Sequence, residues 1–176
     1  KKILLVILSL LFLISCSNKR EKFVIATEAG FEPYEYYSNG EIVGVDIDIA
    51  KKIAEYLNKD LVIKDVAFDS IISEVKTGKS DMGAAGISYT EERAREVDFT
   101  INYSESRQVV IVNNNSIINN ISDIENLKIA VQLGSVADSY LTENYPNVTL
   151  IREKKFLAAI QDLKDNKVDA VVMDEL

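Results

Sequence analysis

The sequence predicts an α/β fold made of two lobes, each built on its own α/β sheet. The second half of the chain alternates strand-like and helix-like segments with short connections, which is typical of parallel sheets with right-handed crossovers. Residues 68–86 and 155–175 share one pattern: an apolar helix, a short basic turn, an Asp, and a buried strand whose end carries polar groups. Because ligands bind beyond the carboxyl ends of strands in open α/β sheets, two such lobes with facing strand ends would enclose a cleft.

The composition excludes several classes of function. The chain has 176 residues, of which 47% are apolar and 27% charged, as is ordinary for a globular protein. Its net charge of −8 argues against a nucleic-acid-binding surface, which needs a basic patch. It contains no His, which excludes a Ser-His-Asp triad, a Cys-His dyad and a His-ligated metal site. The single Cys excludes an intrachain disulfide, and no cofactor is expected.

The N-terminus is predicted to be a lipoprotein signal peptide, residues 1–15. Two Lys residues precede an apolar run that is too short to span a membrane, and a small residue stands before Cys16. The sequence Leu-Ile-Ser-Cys resembles the lipobox of bacterial lipoproteins, in which the Cys becomes the lipidated first residue. We therefore expect Cys16 to carry a lipid anchor and residues 16–22 to form a polar tether.

The first lobe is predicted to span residues 23–112 and to begin with a buried strand. An Asn-Gly pair predicts a β-hairpin, Asp46 is predicted to cap a helix with one apolar face, and Gly78 is predicted to end a second helix. The predicted elements are the strand 23–27, the hairpin strands 34–37 and 41–45, the helix from Asp46 to Leu57, the strand 61–66, and a helix carrying Ile71, Ile72 and Val75.

The segment Asp81–Arg93, DMGAAGISYTEER, is the first candidate for a binding site. Residues 82–85 are predicted to form a short strand, and Thr90 is predicted to cap a helix that runs to Val97. Gly86 allows close approach to the backbone, and a hydroxyl, free backbone N–H groups and the Arg93 guanidinium together form a receptor for a carboxylate or phosphate. An ordinary strand-to-helix turn with a surface Arg is the alternative.

The second lobe is predicted to span residues 113–176. The strand Gln108–Val112 is assigned to the end of the first lobe, because the Asn-rich segment 113–120 is typical of a boundary. The predicted elements of the second lobe are the strands 128–132, 148–151 and 168–173 and the helices 135–144 and 155–164. Polar groups follow several strands, and the candidates are Thr27, Glu28, Ala85, Gly86, Gln132, Gly134, Ser135 and Asp174.

Several motifs together resemble a known family. They are ATEAGFEPYEY, GVDIDIAKKIA, FDSII, DMGAAGISYTEERAREVDFT, AVQLGS and VDAVVMDEL. From about Phe23 to Leu176 the chain is similar to the bacterial extracellular solute-binding proteins of amino-acid ABC importers, periplasmic binding proteins of the second structural type (family 3). In that family the chain goes on to a second crossover that returns to the first lobe. We therefore expect the C-terminal return segment to be missing here and the first lobe to be incomplete.

The resemblance implies roles for particular residues. Arg93 with Ser88 would hold the α-carboxylate of an amino acid, and Asp174 would hold its α-ammonium group. Main-chain groups at Gly86 and the Ser135 hydroxyl would contribute to the same site. The aromatic rings that would sandwich the ligand side chain are Phe31 and Phe68, and packing in the core is the alternative role for them.

These roles predict a lipid-anchored, monomeric protein in the periplasm or at the cell surface that passes a free L-amino acid to a membrane permease. If Glu28 at its strand end points into the cleft, it would be an unpaired charge with a neutral ligand, which favours arginine or lysine; a Glu28 that faces water is the alternative. Gln132 offers a neutral amide beside it. Two other functions stay open: a dehydratase similar to cyclohexadienyl or arogenate dehydratase, and the ligand-binding module of a sensor.

Overall fold

A computed structural model describes residues 20–175 of the chain. The predicted signal peptide and Cys16 lie outside this range, so the structure does not test them. Two separate sheets with helices against them are present, one in each half of the chain, which confirms the predicted two-lobe α/β architecture. Within residues 20–175, no helix is both long enough and apolar enough to cross a membrane.

The first sheet consists of three parallel strands with β1 in the middle. A hairpin and two helices accompany it, and a third, very short helix follows its last strand. These elements are β1 (Lys22–Thr27), β2 (Tyr36–Ser38), β3 (Glu41–Val43), α1 (Val45–Tyr56), β4 (Asp60–Asp65), α2 (Ile71–Lys76), β5 (Met82–Gly83) and α3 (Glu91–Ala94). The core beneath α1 is built from Phe23, Ile25, Ile47, Ala50 and Ala54.

The second sheet has four strands in the order β6, β9, β7, β8. Its elements are β6 (Gln108–Val112), β7 (Lys128–Gln132), α4 (Val136–Asn144), β8 (Thr149–Glu153), α5 (Phe156–Lys164) and β9 (Ala170–Asp174). Strands β7, β8 and β9 are parallel, as the strand–helix alternation predicted, and β6 runs antiparallel to β9. Apolar side chains cover both faces of this sheet, which separates its core into two clusters under α4 and α5.

The predicted boundary between the lobes is wrong at Val112. Strand β6 pairs with β9 of the second sheet along its whole length, from Gln108 opposite Asp174 to Val112 opposite Ala170. The sequence QVVIV is apolar on both faces, and the second lobe covers both: Val110 and Val112 pack against one core cluster, while Val109 and Ile111 pack against the other. The Asn-rich segment 113–120 therefore follows the first strand of the second lobe.

The start of α1 also differs from the prediction. The N-cap is Gly44, with φ 129°, and not Asp46. An added Cβ at Gly44 would lie 2.2 Å from the Tyr34 carbonyl oxygen, so only glycine fits there. Asp46 instead lies in the first turn of α1 with 2% of its surface exposed. Its carboxylate is held by contacts from other elements, which a prediction from local helix signals could not include.

Two elements of the segment 81–93 are shorter than predicted. Strand β5 has only two residues, and α3 ends at Ala94 and not at Val97. The Thr90 cap is confirmed, because its side chain accepts a hydrogen bond from the Arg93 backbone N–H at 3.1 Å. The hairpin is confirmed as well, with Asn39 and Gly40 both at positive φ. Gly78 follows α2 with φ 69°, as predicted for the residue that ends a helix.

Candidate functional site

The space between the two sheets, here called the cleft, is lined by most of the residues that the sequence predicted for ligand binding, though not by the candidates Thr27 and Gly134. Its walls are built around the carboxyl ends of β1, β5, β7 and β9, and they enclose a cavity of about 30 Å³. The predicted residues that line it are Glu28, Phe31, Phe68, Gly86, Ser88, Arg93, Gln132, Ser135 and Asp174. Strand ends that face each other bring these residues together. Their roles toward a ligand stay predictions.

Arg93 spans the cleft from the first lobe to the second. Its guanidinium donates to the Ser88 carbonyl oxygen at 2.7 Å and to the Gly134 carbonyl oxygen at 2.9 Å. The same group lies over the Phe68 ring, 5.5 Å from its centroid, where the ring face attracts a cation. A guanidinium has five N–H donors, so these contacts leave it able to bind a carboxylate as well.

An acid of the second lobe balances the charge of Arg93. Asp174 ends β9, lines the cleft, and accepts a hydrogen bond from the Ser106 hydroxyl at 2.6 Å. Burial lowers the pKa of the Arg93 guanidinium, and the carboxylates of Asp174 and Glu92 act against that change. The cleft therefore holds a cation from the first lobe and an anion from the second.

The two predicted aromatic residues have different surroundings. Phe31 stacks on Tyr34 with 5.7 Å between ring centroids, and it meets the edge of Phe156 from the second lobe at 5.5 Å. Phe68 lies beneath the guanidinium of Arg93. Both rings line the cleft, and the stacking of a ligand side chain between them stays a prediction.

Glu28 is not the unpaired acid that the sequence predicted. Gln132 donates to its Oε2 atom at 3.0 Å, and the Lys155 ammonium of the second lobe lies 3.5 Å from its Oε1 atom. The side chain is buried, with 2% of its surface exposed. Burial raises the pKa of Glu28, while Lys155 and the hydrogen bond from Gln132 act to lower it. The sequence argument failed because Lys155 lies far from Glu28 along the chain.

Lys155 has a second acidic partner, Asp65, at the end of β4. Its ammonium group forms an ion pair with the Asp65 carboxylate, which also accepts hydrogen bonds from the Tyr37 hydroxyl and the Ala29 backbone N–H. Burial acts to raise the pKa of Asp65, but the hydrogen bonds from Lys155 and Ala29 outweigh it and lower that pKa. Asp65 therefore stays ionised beside Glu28.

The backbone N–H of Gly86 cannot serve a ligand as expected, because it already donates to Asp46 Oδ2 at 2.8 Å. The other oxygen of Asp46 accepts a hydrogen bond from the Tyr103 hydroxyl at 2.8 Å. Gly86 has φ 53°, and an added Cβ would lie 3.3 Å from the Phe31 ring. Asp46 thus fixes the Gly86 turn, and only the Gly86 carbonyl group is left to contribute to the cleft.

The two predicted serines already make structural contacts. Ser135 is the N-cap of α4, and its hydroxyl accepts a hydrogen bond from the Asp138 backbone N–H at 3.2 Å. Ser88 offers its carbonyl group to Arg93. Their positions in the cleft agree with the predicted contacts to a ligand, and those contacts stay predictions.

Residues that the sequence analysis missed also line the cleft. They are Glu35, Val136, Phe156, Val172 and Met173, whereas Ala85, which also lines the cleft, was a predicted candidate. Phe156 begins α5 just after β8, so the rule that ligands bind beyond strand ends could have found it together with Lys155. Glu35 carries no such signal, because a single acid between two Tyr residues resembles a surface position. Within residues 20–175, no group of three His, Cys, Asp or Glu side chains could hold a metal ion.

The model of the bacterial extracellular solute-binding proteins, family 3, matches residues 23–147. The chain belongs to this family. A protein of Campylobacter jejuni described as a probable histidine-binding protein is 30% identical over 178 residues, which cover 94% of this chain and 69% of that protein. The ABC transporter arginine-binding protein 1 of Escherichia coli is 31% identical over 159 residues, which cover 90% of this chain and 65% of the relative.

A solved structure agrees with these relatives. It is the crystal structure of the substrate-binding protein of an amino acid ABC transporter, with a TM-score of 0.83 and 39% identity over 88% of this chain and 70% of that one. The chain spans about two thirds of the length of the curated relatives described above. The homologues of this chain are therefore amino-acid-binding proteins of ABC transporters.

Proposed function

We propose that this solute-binding protein captures a free L-amino acid between its two lobes and passes it to the membrane permease of an ABC importer. The observation that carries the proposal is the pair of opposite charges in the cleft, Arg93 from the first lobe and Asp174 from the second. A free amino acid carries the complementary pair, a carboxylate and an ammonium group. Binding would join the lobes through the ligand, because each charged group of the ligand would contact a different lobe.

The α-carboxylate is assigned to Arg93 and Ser88, and the α-ammonium group is assigned to Asp174. A fork of two N–H donors matches the geometry of a carboxylate, which is why an Arg suits this place better than a Lys. The Gly86 carbonyl and the Ser135 hydroxyl would complete the polar contacts. No covalent step is needed for capture and release.

For the ligand side chain we propose a cationic group, as in arginine or lysine. The Escherichia coli relative named above is an arginine-binding protein, which supports this choice. The charges around Glu28 support it too, since Glu28 and Asp65 contribute two carboxylates and Lys155 contributes one ammonium group. A cationic side chain would neutralise the remaining negative charge.

The family is extracellular, which places its members outside the cytoplasmic membrane. For this chain we propose a periplasmic or cell-surface protein held to the membrane by a lipid on Cys16. The support is the short apolar run and the Leu-Ile-Ser-Cys sequence before the folded part of the chain. The folded lobes would then be monomeric and tethered by the polar residues 16–22.

Calorimetry on the full-length protein tests the binding function. We expect Arg93→Ala to weaken amino-acid binding by about 2–5 kcal/mol, at least about tenfold in Kd, because it leaves the ligand carboxylate without its charged partner. Arg93→Lys should also lose affinity, since a point charge cannot replace the fork. Arg95→Ala is the matched control, because Arg95 lies beside the same short helix and is exposed. A change of less than about threefold in Kd for Arg93→Ala would contradict the assignment.

A further inference from the structure

Glu28, which lines the cleft, belongs to a cluster of three charges with Asp65 and Lys155. Glu28 and Asp65 stand at the ends of neighbouring parallel strands, where Thr27 of β1 pairs with Asp65 of β4. Lys155, at the start of α5 in the other lobe, reaches both carboxylates, at 3.5 Å from Glu28 and in a closer ion pair with Asp65. It also lies 3.5 Å from the Val66 carbonyl oxygen. The cluster therefore joins the two lobes.

The cluster has one negative charge more than it has positive charge. Within residues 20–175, Lys155 is the cation that forms ion pairs with these two carboxylates. The other groups that donate to Glu28 or Asp65 are neutral: Gln132, Tyr37 and backbone N–H groups. Glu28 is buried, so water screens its charge poorly, and neutral donors stabilise a charge without cancelling it.

We propose that Lys155 is a specificity-determining residue, an internal counter-ion that cancels one of the two carboxylate charges and leaves the other for a positively charged ligand side chain. This inference rests on the proposed capture of an amino acid in the cleft. Glu28 lines the cleft, whereas Asp65 does not line it and forms an ion pair with Lys155. A cationic side chain would contact Glu28 while Lys155 stays with Asp65. A neutral side chain would leave one carboxylate charge uncancelled.

The proposal predicts opposite changes for two neutralising substitutions. In Lys155→Met both carboxylates lose their counter-ion, so the preference for a cationic ligand should grow. In Asp65→Asn the cluster becomes neutral, so the same preference should shrink. The quantity to measure is the ratio of the Kd for glutamine to the Kd for arginine, two ligands with polar side chains that differ in charge. Both substitutions also weaken contacts between the lobes, but that loss affects the two ligands alike and cancels in the ratio.

Titration calorimetry of the full-length protein with arginine and with glutamine gives this ratio, at about pH 8 because burial raises the pKa of Glu28 and a higher pH favours its ionised form. We expect it to rise about tenfold in Lys155→Met and to fall about tenfold in Asp65→Asn, a size typical of one charge in a partly screened site. Lys154→Met is the matched control, because its side chain is exposed on the residue before Lys155, and it should leave the ratio unchanged. Circular dichroism verifies that each variant is folded.

The outcomes separate this inference from the proposed function. If wild-type protein binds no amino acid, both are overturned. If wild-type protein binds an amino acid and the ratio stays within about twofold in both variants, Lys155 only holds the lobes together and the inference is wrong. If glutamine is the tighter ligand of the wild type but the ratio moves in the two expected directions, the role of Lys155 is supported while the choice of a cationic ligand is not.

Discussion

Two buried acids, Asp46 and Glu35, lie at or beside the cleft. Asp46 accepts hydrogen bonds on both oxygens, from Gly86 and from Tyr103. Glu35 is 1% exposed, and its Oε2 atom has no hydrogen-bond partner. Burial, with the neighbouring charge of Asp46, raises the pKa of Glu35 to about 10. Glu35 is therefore a neutral acid at physiological pH.

The protonation of Glu35 makes stability depend on pH. Its pKa rises from 4.5 to about 10 on folding, so its contribution is fully present below pH 4.5 and is lost as the pH rises toward 10. We expect the free energy of unfolding to fall between about pH 6 and 9, by at most about 1.4 kcal/mol per pH unit for one proton. In Glu35→Gln, which cannot ionise, this fall should be smaller.

Urea unfolding at several pH values measures this difference between wild type and variant. Glu32→Gln is the control, because Glu32 lies on the same loop and is exposed, and it should follow the wild-type curve. Parallel curves for wild type and Glu35→Gln would mean that Glu35 is already ionised at neutral pH in the folded protein.

At the scale of elements, a very short helix positions the main cation of the cleft. Helix α3 has only four residues, too few to be stable without help from its ends. Thr90 supplies that help, because its hydroxyl accepts from the backbone N–H of Arg93 itself. The guanidinium then reaches Ser88 and Gly134 from a fixed backbone. A single capping hydroxyl therefore connects local helix stability with the binding site.

Thr90→Ala should reduce both stability and ligand affinity. The loss of the cap costs about 1 kcal/mol in the free energy of unfolding, and it frees the backbone that carries Arg93. We expect amino-acid binding to weaken by severalfold, while Thr90→Ser, which keeps the hydroxyl, stays close to wild type. Urea unfolding and calorimetry on the same samples give both values. If affinity is unchanged while stability is reduced, the Thr90 cap stabilises α3 but does not position Arg93 for ligand binding.

At the scale of the whole molecule, polar contacts between side chains and strand ends hold the lobes together. Among them are Arg93 with Gly134, Gln132 with Glu28, and Lys155 with both Asp65 and Glu28. The edge of Phe156 against Phe31 adds an apolar contact across the same cleft. The residues that make these contacts lie at or next to strand ends and helix starts, so the contacts between the lobes and the cleft share the same part of the molecule.

The attachment of the molecule to a membrane is expected to depend on one residue outside the folded lobes, Cys16. A lipid there would hold the protein at the membrane without touching the cleft. Cys16→Ser should therefore leave an unlipidated precursor whose affinity for the amino acid equals that of the wild type. Mass spectrometry of the protein purified from its native membrane tests this. An unmodified Cys16, or a mature chain that starts after it, would contradict the lipid anchor.

The sequence by itself predicted most of the secondary elements and many of the residues around the cleft. The signals used were local: apolar periodicity, the Asn-Gly turn, the Thr90 cap and the polar groups after strands. Such signals can be recognised in a sequence before its fold is known. The rule that parallel strands present their carboxyl ends at one edge then places Glu28, Gly86, Gln132 and Asp174 together.

Only the tertiary structure decided how these residues are paired. The strand QVVIV was recognised, but its place in the second sheet depends on β9, far along the chain. In the sequence Asp46 resembled a helix cap, but in the structure its carboxylate accepts hydrogen bonds from Gly86 and Tyr103. Glu28 resembled a free acid because nothing near it in sequence is positive, yet Lys155 lies beside it. The physical reason is the same in each case. Strands and buried charges pair when they are close in space, and the order of residues along the chain does not show which residues will be close.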